Sequence, residues 1–125
     1  MLGFGKSGRV VVVSKKKLAG AEPASYAFET KIRGKIVKGL VVKKNGRYFA
    51  YHNLCKHLPV TLDLNDGAFF THDKSHLQCH MHGAMYEVET GFCVAGPCQG
   101  ARLSTLIIAE EENQLVITFP PEIGE

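Results

Sequence analysis

β-Branched and aromatic residues fall along this chain in short runs divided by turn residues. Residues 36–42 are rich in Val and Ile, and 47–52 read Arg-Tyr-Phe-Ala-Tyr-His. Asn45-Gly46 lies between them. Both residues tolerate positive φ, so the pattern predicts a two-residue hairpin. A second hairpin is predicted from residues 103–109 and 115–119, around the polar stretch 110–114, with Pro120-Pro121 ending it. The middle of the chain is broken by Pro59, by Asn65-Asp66-Gly67 and by Asp73-Lys74-Ser75. Two short strands fit there, 68–71 and 76–79. No window predicts an amphipathic helix of ten residues or more. The expected fold is all-β: a single domain of short antiparallel strands, in a sandwich or barrel.

Length and composition agree. The 125 residues suit one domain, and 45% hydrophobic residues can bury a core without help from disulfides. The apolar run Val10 to Val13 has four residues. A signal peptide needs roughly 7–15 and a membrane span about 20. The expectation is a cytoplasmic protein that does not engage a membrane. In that compartment four cysteines favour metal or redox chemistry over a disulfide framework. Net charge is +3, but residues 1–56 carry 13 of the 15 Lys and Arg and only two of the 12 acids. Solvated faces account for this asymmetry, and so does a docking face for an acidic partner. The basic residues lack interleaved aromatics and match no reader motif, so nucleic acid is not expected.

Candidate chemistry sits in two clusters, Cys55-Lys56-His57 and Cys79-His80-Met81-His82, separated by the 21 residues 58–78. Each follows a predicted strand, so two adjacent loops can close on one centre. Two Cys and two His suit tetrahedral zinc, which would make the chain a zinc-stabilised binding module. They also suit a [2Fe–2S] cluster with thiolates on one iron and imidazoles on the other. Zinc sites more often pair Cys-x2-4-Cys with His-x3-5-His. A single residue between Cys55 and His57 matches two neighbouring metals better.

The pattern Cys55-x-His57 … Cys79-x2-His82-Gly83 resembles the Rieske cluster-binding motif. Leu62 closes the first loop as a Leu does in that family. Gly83-Ala84-Met85-Tyr86 is similar to its Gly-x-x-aromatic, and 91–103, with Gly96-Pro97, to its covering loop. The resemblance spans about 36–119 and gives a core of about 30–120. Residues 1–30 have no counterpart in it and no assigned role. It implies stacked antiparallel sheets with a small cluster-binding subdomain, and one [2Fe–2S] cluster per chain. Cys55 and Cys79 would bind the inner iron, His57 and His82 the outer one. The outer imidazoles would make the potential fall with rising pH once their free nitrogens titrate.

Two imidazoles in place of two thiolates make the oxidised cluster neutral, which lifts Rieske potentials to about −150 to +300 mV. High-potential members add a Cys to each ligand loop and a Ser two residues after the last His. Here neither loop has the extra Cys, and Ala84 stands at the Ser position, while Tyr86 can supply one donor. The expected potential lies in the lower half of the range. Pro59 stands where many members have Gly. Leu58, Pro59 and Met81 would make a small apolar patch at the tip.

The implied function is a one-electron carrier, a ferredoxin between a reductase and an oxygenase or other oxidoreductase, with no catalysis of its own. The alternative is a small electron-entry subunit of a larger enzyme. A monomer or small homo-oligomer is expected. A complete ring-hydroxylating oxygenase is excluded by length, since it needs a second domain for a mononuclear iron. Cys93 and Cys98 are expected as buried thiols of the covering loop, with a local disulfide as the alternative. His80 is expected to be exposed. His52, His72 and His76 are expected as polar residues without assigned chemistry. Gly83, Gly91, Gly96 and Pro97 are expected to shape the backbone.

Overall fold

A computed structural model describes residues 8–54, 62, 69–79, 83–96 and 100–121. Within them the chain forms nine strands: β1 (Arg9–Ser14), β2 (Ala24–Ile32), β3 (Lys35–Lys44), β4 (Arg47–His52), β5 (His76–Gln78), β6 (Met85–Glu87), β7 (Cys93–Ala95), β8 (Ile107–Glu110) and β9 (Gln114–Phe119). They build three antiparallel three-stranded sheets, ordered β1-β9-β8, β2-β3-β4 and β5-β6-β7. The only helical element described is one 3₁₀ turn, Lys15–Leu18, capped by the Ser14 hydroxyl. No helix among the described residues is long and apolar enough to cross a membrane.

The β2-β3-β4 sheet divides the interior. Successive strand side chains point to opposite faces, and β3 carries apolar residues on both. Leu40 and Val42 join a core with Tyr51, Leu62, Phe69, Leu77, Cys79, Ala84, Tyr86, Val88, Cys93 and Leu103. Val37 and Val41 join a second core with Val13, Leu18, Ala50, Leu106, Leu115, Ile117 and Phe119. The first lies toward the β5-β6-β7 sheet, the second toward the β1-β9-β8 sheet.

The hairpin predicted at Asn45-Gly46 forms, with φ of 54° and 76°, and joins β3 to β4 in register from Lys44↔Arg47 to Gly39↔His52. Within residues 1–30, which the sequence left without a role, lie β1 and most of β2. β1 pairs with β9 along its whole length, and Val13 is buried in the second core together with Leu18 of the following turn. One predicted strand is shorter than expected. Residues 103–109 become β8 only from Ile107. Upstream, Arg102 pairs with Phe92 and Thr105 with Tyr51 in single bridges. Before it reaches β9 this segment passes two neighbours in turn, Gly91-Phe92 and β4, so no ladder lengthens on either. Of 68–71, the described residues pair with 76–78: Gln78 N–H donates to Phe69 C=O, and Thr71 N–H to His76 C=O, at 2.8 and 2.9 Å.

Candidate metal centre

The second ligand cluster begins where β5 ends. Gln78 pairs with Met85. One step on, Cys79 N–H donates to Ala84 C=O at 2.8 Å, and Gly83 N–H donates to Cys79 C=O at 2.7 Å. The loop is therefore clamped at both ends, with Gly83 at φ 77°. Cys79 itself is fully buried. A buried thiol at the foot of a clamped loop fits the inner, protein-wrapped position. His80, Met81 and His82 lie outside the described residues.

The first ligand cluster leaves β4 at Asn53. Cys55, His57, Leu58 and Pro59 lie outside the described residues, but both ends of their loop are described. Asn53 N–H donates to Lys38 C=O at 2.8 Å. Its Oδ1 accepts the Leu62 N–H at 2.9 Å. Leu62 is fully buried in the same core as Cys79. Asn53, only 3% exposed, is the one buried polar residue among those described. It ties together the two ends of the loop that carries Cys55 and His57. Sequence reasoning passed over it. The available signal was an Asn two residues before the candidate ligand Cys55, at a strand end, where such side chains bond nearby backbone.

The covering loop docks by close backbone approach. Gly96 sits at φ 94°, and a Cβ there would lie 2.7 Å from Ala84 Cα and 3.1 Å from its N. Only glycine fits that contact. The loop is closed at its base by Cys93 N–H to Ala101 C=O at 2.8 Å and Gly100 N–H to Cys93 C=O at 3.2 Å. Cys93 is buried, and its Sγ donates to Ala95 C=O at 3.3 Å. Pro97 and Cys98 lie outside the described residues. Ala84 and Tyr86 are fully buried beside Cys79.

Tyr51 anchors this half of the molecule to the central sheet. Its hydroxyl donates to Val88 C=O at 2.7 Å, and burial pushes its phenol well above the usual range, so it stays neutral. A Cβ on Gly91 would lie 2.7 Å from the Tyr51 ring, so the ring packs on bare backbone. Lys44 pairs with Glu89 at 3.1 Å across the same junction, which lowers the Glu89 pKa. The other histidines stand apart from ligand chemistry. The half-buried His52 ring meets Phe119 edge-on at 6.5 Å, His76 Nδ1 lies 2.8 Å from Ser75 Oγ, and His72 is exposed.

The description "Rieske [2Fe-2S] domain" fits residues 8–120 of this sequence, nearly the whole chain. The chain belongs to the Rieske [2Fe-2S] domain family, and its cofactor is a Rieske-type [2Fe–2S] cluster. Its fold is similar to that of the ferredoxin of carbazole 1,9a-dioxygenase from Nocardioides aromaticivorans IC177 (TM-score 0.63, 21% identity, 86% of this chain and 95% of that one). It is also similar to part of the terminal oxygenase of carbazole 1,9a-dioxygenase from Novosphingobium sp. KA1 (TM-score 0.65, 22% identity, 90% of this chain but 31% of that one). A chain in a complex of reduced oxygenase and oxidised ferredoxin of carbazole 1,9a-dioxygenase gives a TM-score of 0.64 at 18% identity, over 87% of this chain and 92% of that one. No curated protein is significantly similar in sequence.

Proposed function

We propose that the protein is a Rieske-type ferredoxin, a cytoplasmic one-electron carrier that takes electrons from a reductase and passes them to an oxygenase or other oxidoreductase. Cys55 and Cys79 hold the inner iron, and His57 and His82 hold the outer iron toward the surface. The whole chain, 1–125, acts as one domain. The observation that carries this reading is the pair of clamped loop stems in one core, with Cys79 buried at the foot of one and Asn53 tying the other. The likeness to a dioxygenase ferredoxin over 95% of that chain supports the carrier reading.

The cluster supplies one-electron redox chemistry at a centre that is neutral when oxidised. The protein's part is to hold the ligands, keep water from the inner thiolates and leave the imidazoles accessible. Apolar packing by Leu62, Ala84 and Tyr86 around Cys79 does the second of these. The buried methyl of Ala84 offers no hydroxyl to sulfur, which supports a midpoint in the lower half of the family range. A value above about +200 mV would overturn that assignment.

Electron paramagnetic resonance of the dithionite-reduced protein tests the reading. The expected result is a rhombic signal of low average g, from a red-brown protein. A colourless zinc protein without a signal would refute it.

A further inference from the structure

The β2-β3 hairpin reaches past the point where the first ligand loop begins. β4 stops at His52, opposite Gly39, and Asn53 bonds back to Lys38. Cys55 follows two residues later. β2 and β3 run on from there, paired through Lys31↔Ile36 and Ile32↔Lys35, to a turn at Arg33-Gly34. Lys31, Arg33, Gly34, Lys35 and Ile36 are all exposed, Ile36 at 60%. Cross-strand partners share a face, so Ile36 and Lys31 stand together on the face that carries Leu40 and Val42 into the ligand-side core. An exposed apolar side chain, with Lys31 on its own face and Arg33 and Lys35 at the turn, thus stands beyond the strand end from which the first ligand loop departs.

Cations at the two ends of this sheet are treated differently. At the far end, Lys43 pairs with Glu22 at 3.7 Å, Lys44 with Glu89 at 3.1 Å, and Lys15 with Glu110 at 2.7 Å. Two further far-end cations, Lys17 and Arg47, lie over the Tyr26 and Phe49 rings. At the ligand-loop end, Lys31, Arg33 and Lys35 have neither an acid nor a ring partner among the described residues. A small apolar centre with a charged rim suits a transient protein contact that is steered by charge.

Resting on the electron-carrier reading above, we infer that the β2-β3 hairpin, Lys31 to Ile36, is the docking finger for a redox partner whose own centre is rimmed by acidic side chains. The finger brings that rim to the end of the sheet where the first ligand loop leaves β4. One electron then passes between the two centres, one protein being oxidised and the other reduced, with no group or proton transferred.

The test uses the holoprotein and an acidic plant-type [2Fe–2S] ferredoxin, whose potential lies below that of Rieske centres. Stopped-flow reduction of the oxidised holoprotein by the reduced ferredoxin is followed across ionic strength. The rate should fall steeply with salt. In K31Q/R33Q/K35Q it should drop about tenfold at low salt and lose most of its salt dependence. K15Q/K43Q/K44Q should stay within about twofold of the parent. Amide chemical shifts on titrating the two oxidised proteins should move at residues 31–36 and be lost in the first variant. Unchanged melting temperature and midpoint potential show that the variant is intact. Equal rates and salt slopes in parent and K31Q/R33Q/K35Q would overturn the finger. So would retention of duplex DNA that depends on these three cations while the electron-transfer rate does not. A holoprotein that dithionite fails to reduce would instead refute the carrier reading beneath it.

Discussion

The two cores on either side of the central sheet are built by different means. The core shared with β1, β9 and β8 is made of strand faces. Leu115, Ile117 and Phe119 alternate along β9, and Phe119 meets the Phe28 ring edge-on at 5.9 Å. Gly39 leaves room for both rings, since a Cβ there would lie 2.6 Å from Phe28 Cζ. The ligand-side core has strands of only three residues, β5, β6 and β7. Its shape rests on single contacts: Gly96 on Ala84, Asn53 on Leu62, Tyr51 on Val88. Apolar periodicity holds the first together. In the second, individual residues hold loops at fixed separations, as a metal centre needs.

That contrast predicts that damage on one side costs stability and on the other costs the cluster. Phe119→Ala should lower unfolding free energy most, by about 4 kcal/mol in urea titration, because it opens a cavity between two rings. The protein that remains folded should keep a normal paramagnetic signal. An altered signal would show that the two cores are coupled. Gly96→Ala should cost about 3 kcal/mol, from positive φ and the close approach to Ala84. Here iron content should fall along with stability, and a full complement of iron would break the comparison.

Asn53→Ala should cost about 2 kcal/mol, the penalty for stranding the buried Leu62 N–H. Iron per chain should drop further than in a Phe119 variant matched for stability. Tyr51→Phe removes the bond to Val88 C=O and should cost about 1 kcal/mol with little loss of iron, as read from the urea midpoint and iron analysis. The smallest effect belongs to Asp73. Its carboxyl accepts from the Ser75 hydroxyl, the Thr71 hydroxyl and the Ser75 N–H, which hold its pKa at about 2 against an ordinary 3.8. A depressed pKa means stability that is present above the unfolded value and lost as pH falls from about 4 toward 2. Asp73→Asn should flatten that part of the acid-unfolding curve and leave neutral pH nearly unchanged.

The sequence by itself determined the all-β class, the β3-β4 hairpin with its Asn-Gly turn, the β8-β9 hairpin in outline, and the family from the ligand spacing. Each of these is a local signal: periodicity, turn chemistry, or a few residues at fixed intervals. Tertiary structure decided what depends on a distant partner. β1 became a strand because β9 offered an edge, and its four valines alone left that undecided. Residues 102–106 gave up a regular ladder because they serve two neighbours in succession, Gly91-Phe92 and β4. Asn53 became a clamp only when Leu62 was brought within hydrogen-bonding distance. The cationic asymmetry, legible as a count, acquired a location only once Lys15, Lys43 and Lys44 had found acids and the cations of the β2-β3 turn had not.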